Sequence, residues 1–309
     1  MMKKEWNFFF LLNLIVFGLI ALVAVVVPLL KIYRKPNVNL IYTKENPERI
    51  VSLAPNITEI LYELGLGDKI VAVSSDSDYP VQAMEKKKTG TFWYPNSEAV
   101  IASKPDLTIT LGFDQQRTVA QTLNRLGYNV LTLNIDTIKE LFDAIQKIGT
   151  ATGAEQRADQ LINEMQNQLT SLKSKYNQEN KIPVLWVMEA DPVRAAGRNT
   201  FINELIECAG GVNAIGPTIQ TYPPVSSEEL MTCKAEVILQ SAMVFKNIEK
   251  ERHDAEIFWS KFPNLPAVKN KRIYVINADT TLRLGPRLLQ GIETIANYIH
   301  QGNTVSDNN

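Results

Sequence analysis

From Arg49 onward, short β-branched runs alternate with helix-forming segments, and that alternation limits the folds open to this chain more than any other feature. The strand candidates are Ile50–Leu53, Ile70–Val73, Leu107–Leu111, Val130–Leu133, Val184–Met188, Val237–Gln240 and Ile273–Ile276. Strands separated by helical stretches are joined by crossovers, so the expected class is α/β with largely parallel sheets. Thr137 with Glu140 and Ser226 with Glu229 have capping-box spacing, and Asn96 is placed to cap a helix beginning at Ser97.

One segment breaks the rhythm. Residues 154–180 contain no Gly or Pro. Leu161, Met165, Leu169 and Leu172 mark a single apolar stripe along them. About 25 helical residues make a rod of roughly 37 Å. Several βα units lie on each side of it. The expected architecture is two α/β lobes joined by one long helix. A single large sheet with one long crossover helix is the alternative.

The N-terminus is of another kind. Residues 8–30 (FFFLLNLIVFGLIALVAVVVPLL) carry no charge. About 23 residues in a helix reach about 34 Å, enough to cross a hydrocarbon core of roughly 30 Å. A cleaved signal peptide has a shorter apolar stretch followed by small residues at the cleavage site. Here the run ends in Pro28-Leu29-Leu30, and no cysteine stands beside it to accept lipid. We therefore expect a single transmembrane anchor. Lys3 and Lys4 on one side of it are balanced by Lys31, Arg34 and Lys35 on the other, so charge does not decide its orientation. The resulting division is 1–35 anchor, 36–47 linker, 48–152 first lobe, 153–180 connecting helix, 181–302 second lobe and 303–309 tail.

Net charge is −1 over 309 residues. Setting aside the six charges of residues 1–35 leaves 27 basic and 32 acidic side chains, a net of −5 for the body. An acidic body lacks the basic surface that nucleic-acid binding needs. Cys208 and Cys233 form no CxxC pair. A disulfide between them and two buried free thiols both fit the sequence. The two histidines, His253 and His300, are expected at the surface, so a nucleophile–histidine arrangement has little to build on, and the sequence shows no metal cluster. Nor is there a phosphate-loop or dinucleotide motif. The expectation is a binding protein with no catalytic residues and no cofactor; an enzyme on a similar α/β scaffold is the alternative of another class. Its cleft would be lined by strand-end loops carrying Asn56, Asp76, Phe92, Trp93, Arg194, Tyr222, Asp279 and Arg283. The consecutive rings Phe92-Trp93-Tyr94 lie between Gly90 and Pro95, where they cannot all point inward.

These residues also carry a resemblance. The stretch RIVSLAPNITEILYELGLGDKIVAVSSDSDYP at 49–80 resembles the opening of the class III substrate-binding proteins of ABC importers, most of all the periplasmic cobalamin-binding proteins. TFWYPNSEAVIASKPDLTIT (91–110), GRNTFINELIECAGGVNAIG (197–216), YPPVSSEEL (222–230) and ADTTLRLGPRLLQGIE (278–293) continue it in order. The resemblance implies an extracytoplasmic body that holds cobalamin, haem or an iron-siderophore between two lobes that barely flex. It implies permease docking through Glu98 and Glu228, and ligand contacts from Asp279 and Arg283. Phe92 and Tyr222 fall where rings line the family's cleft. Asp76, Leu111 and Arg194 stand where aromatic residues would be expected, which makes the cleft more polar. Arg194, Arg198, Arg283 and Arg287 would suit an anionic iron chelate, and a corrinoid with another face exposed fits as well. Cys208 matches a family cysteine whose partner position here is Ala296, so that disulfide is absent.

Overall fold

Strands divide between two sheets in a computed structural model that describes residues 46–177, 179–242, 248–277 and 281–300. The membrane-anchor expectation for residues 8–30 lies outside them. Among the described residues no helix is long and apolar enough to cross a membrane.

The first sheet has five parallel strands in the order β3-β2-β1-β4-β5. These are β1 (Ile50–Ser52), β2 (Ile70–Val73), β3 (Lys87–Lys88), β4 (Leu107–Leu111) and β5 (Val130–Leu133). Its first crossover is α1 (Pro55–Glu63), which opens on Pro55, where the missing N–H leaves no helical bond unmade. α2 (Ser97–Ala102) is capped by Asn96, whose Oδ1 accepts from Ala99 N at 3.0 Å. α3 (Asp114–Arg125) follows β4, and α4 (Ile138–Thr152) follows β5. α4 stops at Gly153, whose φ of +70° is open to glycine and strained for other residues.

The connecting helix α5 runs from Glu155 to Lys175, 21 residues or about 31 Å. It buries Leu161, Met165, Leu169 and Leu172, the stripe read from the sequence. The second sheet holds β6 (Ile182–Ala190), β7 (Val193–Ala195), β8 (Gly211–Asn213), β9 (Val237–Ala242) and β10 (Ile273–Asn277). Its order is β10-β9-β6-β7, with β8 also pairing β6. Only β7 is antiparallel. The helices of this lobe are α6 (Phe201–Cys208), α7 (Ser227–Thr232), α8 (Ile248–Trp259), α9 (Pro266–Lys269) and α10 (Leu288–His300).

β6 shows why the second sheet sits inside the lobe. Val184 and Trp186 pack into one apolar cluster, Leu185 and Val187 into another, as the period of two requires of a strand covered on both faces. The first of these clusters runs without a break from Ile50 and Ile57, through Ile148, Leu161 and Met165, to Ile206, Ile292 and Ile295. One core thus joins both lobes through α4 and α5. Each fully buried Ile or Leu in it contributes about 1.5–3 kcal/mol.

Three expectations need correction. The strands β3, β7 and β8 escaped the sequence reading because they are two or three residues long, and β3 is a pair of exposed lysines. At α4 the Thr137 hydroxyl accepts from Glu140 N at 3.1 Å, but the Glu140 carboxylate reaches past Thr137 to Asp136 N at 2.9 Å. The complete box forms at Ser226 and Glu229. His300 is half-buried rather than exposed. It stacks on Tyr176 with ring centroids 5.2 Å apart, and one ring nitrogen lies 2.8 Å from the Ala209 carbonyl oxygen. Cys208 and Cys233 are both free thiols.

Candidate functional site

In the first sheet the direction of winding reverses between β1, the central strand, and its neighbour β4. Open α/β sheets hold ligands beyond the carboxyl ends of strands at such a reversal. Asn56 stands in the first turn of α1 just after β1, Phe113 follows β4, and the loop after β3 brings Phe92 and Trp93 against Phe113. Phe92, Trp93 and Phe113 form a mutual cluster, with centroid separations of 4.9, 5.0 and 5.3 Å and tilted or edge-on planes. Trp93 remains 56% exposed, so the wall presents an open ring to solvent.

The backbone of this wall is held by side chains. Phe92 N donates to Asp76 Oδ2 at 2.5 Å, and Phe92 O accepts from Gln116 Nε2 at 2.9 Å. Gln116 is fully buried. Its Nε2 also donates to Leu53 O at 2.9 Å, while its Oε1 accepts from Leu111 N at 2.8 Å and from Thr110 Oγ1 at 2.7 Å. Sequence reasoning missed Gln116. The only signal was a polar residue one turn into a helix that starts at a strand end.

On the second lobe, Arg194 pairs with Glu189 across the β6–β7 ladder and donates from Nη2 to Tyr222 O at 2.9 Å. Tyr222 is half-buried. Burial, and after it the negative charge of Asp136 from the first lobe, pushes its phenol up, so it stays protonated and able to donate. Arg198 is tied to the carbonyls of Ile215 and Asn213. Asp279 lies outside the described residues.

Four arginine and carboxylate groups bind the lobes together. Arg283 Nη1 lies 2.7 Å from Asp78 Oδ1 and 3.3 Å from Glu59 Oε1, and its Nη2 donates to Asp76 O at 3.3 Å. Arg287 reaches both oxygens of Glu59, at 3.0 and 2.6 Å, and lies 4.2 Å over the Tyr79 ring. Glu59 is buried on the side of α1 turned away from Ile57 and Leu61, so the helix is covered on both sides. Asn56 adds a bond from Nδ2 to Leu284 O at 3.0 Å. Burial works to raise the Asp78 carboxyl, but the hydrogen bond and charge of Arg283, joined by Arg287, outweigh it and hold it below the usual carboxylate range. Of the polar cleft residues read from sequence, then, the side chains of Asn56, Asp76, Arg194 and Arg283 have partners within the protein.

Glu98 and Glu228 stand in the first turns of α2 and α7, both exposed. Among the described residues neither carboxylate has a hydrogen bond or ion pair. In α7 the capping task falls to Glu229, whose carboxylate accepts from Ser226 N at 2.8 Å. Among the described residues no group of three His, Cys, Asp or Glu side chains can hold a metal ion.

Two lobes of largely parallel strands, a connecting helix and an exposed aromatic cluster beside the strand ends fit a substrate-binding fold, and comparison with known proteins agrees. The profile of a family described as "Periplasmic binding protein" matches residues 50–280. An uncharacterized ABC transporter substrate-binding lipoprotein of Bacillus subtilis is 33% identical, over 83% of this chain and 81% of its own. The periplasmic vitamin B12 binding protein of Vibrio cholerae superposes with a TM-score of 0.71 at 28% identity, covering 83% of this chain and 98% of that one. A periplasmic heme binding protein of the same organism gives 0.72 at 26%, covering 82% and 99%. The chain belongs to the periplasmic binding protein family and is a class III substrate-binding protein of an ABC importer.

Proposed function

We propose that this protein captures cobalamin or a related corrinoid outside the cytoplasmic membrane and delivers it to its permease. The observation that carries this reading is the wall of Phe92, Trp93 and Phe113, which offers flat apolar area to a large macrocycle. The state of the arginines also favours it. Arg283 and Arg287 are neutralised by Glu59 and Asp78, so they are not a loose cationic cluster awaiting an anionic chelate. Asn56, Tyr222, Arg194 and Asp279 would orient the polar edges of the ligand. The vitamin B12 binding relative supports the same assignment. A second reading, haem or an iron-siderophore, is favoured by the heme binding relative.

In this reading Glu98 and Glu228 dock onto basic groups of the permease, one from each lobe. Residues 8–30 tether the body to the membrane, in keeping with the lipoprotein relative, whose lipid would do the same work. The test is a titration of the full chain in detergent with cyanocobalamin. Trp93 fluorescence should be quenched saturably, and Trp93→Phe should remove most of that signal. No binding at tens of micromolar, with saturable binding of haem or a ferric siderophore, would replace the first reading with the second.

A further inference from the structure

We infer that Asp76 and Gln116 are positioning residues for ligand capture: together they grip the backbone of Phe92 and set the aromatic wall before the ligand arrives. The inference rests on the reading that this wall touches the ligand. Its physical basis is the number of bonds converging on a single residue of a loop. The N–H of Phe92 is held by the Asp76 carboxylate and its C=O by the Gln116 amide. The rest of the loop is closed on itself. Tyr94 N donates to Thr91 Oγ1 at 3.0 Å, and Gly90 pairs with Pro95 at a φ of +94°. A side chain at Gly90 would run into Tyr94 O and Asn96 N, so the loop closes only around glycine.

Gln116 is suited to this task by the chemistry of its amide. An amide has two N–H donors and one oxygen with two lone pairs, and here all four are used. Turned over, the amide would face oxygen against the carbonyls of Leu53 and Phe92, and N–H against Leu111 N. Only one orientation works. That orientation ties the end of β1, the end of β4 and the aromatic loop to one buried point at the reversal of the sheet. Asp76 does the matching work from the end of β2, and it is exposed. Its place in the cleft is thereby explained without a ligand contact: an aromatic ring at this position could stack, but could not hold Phe92 N. A wall fixed in advance loses less conformational freedom on binding, which appears as affinity.

The test uses the full chain in detergent, labelled with 5-fluorotryptophan, with the Trp93 resonance assigned through Trp93→Phe. Asp76→Ala removes the acceptor. It should shift or broaden the Trp93 resonance, leave the buried Trp186 and Trp259 resonances in place, and weaken cyanocobalamin binding about tenfold. Asp76→Asn keeps an oxygen for Phe92 N and should restore both readouts. Gln116→Met, of similar volume without the bonds, should reproduce the Trp93 signature. Should Gln116→Met fail to fold, the exposed Asp76 pair still decides the question. A Trp93 resonance unmoved by Asp76→Ala overturns the inference. So does an Asp76→Asn protein that behaves like Asp76→Ala, because the charge and not the acceptor would then be what matters. Wild-type chain that binds no cyanocobalamin sinks the corrinoid reading, while the resonances without ligand still judge the grip.

Discussion

Arg287 holds the buried carboxylate of Glu59 through both Nε and Nη2, across 228 positions of sequence and from one lobe to the other. Arg283 shares the same carboxylate. Glu59 answers both arginines from a buried position, and breaking a buried ion pair costs about 3–5 kcal/mol. Glu59→Ala should therefore lower the urea midpoint markedly. Glu59→Gln keeps hydrogen-bond acceptance and should fall between it and wild type. Equal midpoints for all three proteins would show that the cluster does not hold the lobes.

Asp78 adds a pH dependence to the same cluster. Its carboxyl in the fold lies below its ordinary value of 3.8 because of Arg283. The sign follows from linkage: the contribution is complete above the unfolded value and is lost as pH falls toward and through the folded one. Urea denaturation followed from about pH 6 down to about pH 3 should show stability declining at the acid end. Arg283→Met should flatten that decline. An unchanged acid slope in Arg283→Met would assign the acid lability to other carboxylates.

The permease contacts are tested separately from the ligand. Glu98→Ala combined with Glu228→Ala should leave cyanocobalamin affinity within about twofold, since both side chains are exposed and surface changes of this kind shift stability by less than ~0.5 kcal/mol. Pull-down with the permease and cellular uptake should be lost. Loss of ligand affinity instead would remove the docking assignment.

Gly153 ends α4 in the left-handed region. Gly153→Ala should destabilise the protein by about 1 kcal/mol, because the left-handed conformation is strained once a Cβ is present. That Cβ would also fall 1.8 Å from Asn46 Oδ1, which must move aside. A midpoint equal to wild type would mean that the segment before β1 yields without loss.

Burial pushes the thiols of Cys208 and Cys233 up, so both are poor nucleophiles at neutral pH. A thiol-reactive dye should count two thiols in denaturant without reductant. Under native conditions Cys208 should react only as fast as the protein opens. Fewer than two thiols in denaturant would point to a disulfide.

What could be read from the sequence follows the range of the forces involved. Seven strands and the buried stripe of α5 announce themselves through local periodicity, and all are present in the structure. Asn96 and Ser226 work as caps because their partners lie three residues away. The Glu59–Arg287 pair and the bonds of Gln116 to Leu53 and Phe92 depend on how distant segments meet, and no local pattern encodes them. Asp76 departs from the family's ring pattern and so invites a reading as a polar ligand contact, whereas the structure gives it a backbone N–H to hold.

The unbroken core from Ile50 to Ile295 has a consequence for how this molecule can be divided. The lobes look like modules, each with its own sheet, yet a cut anywhere along α5 would strand half of a shared interior in water. Neither half is an autonomous folding unit. The lobes are divisions of shape within a single cooperative body, and a chimera that swaps one of them must bring its share of the interior with it.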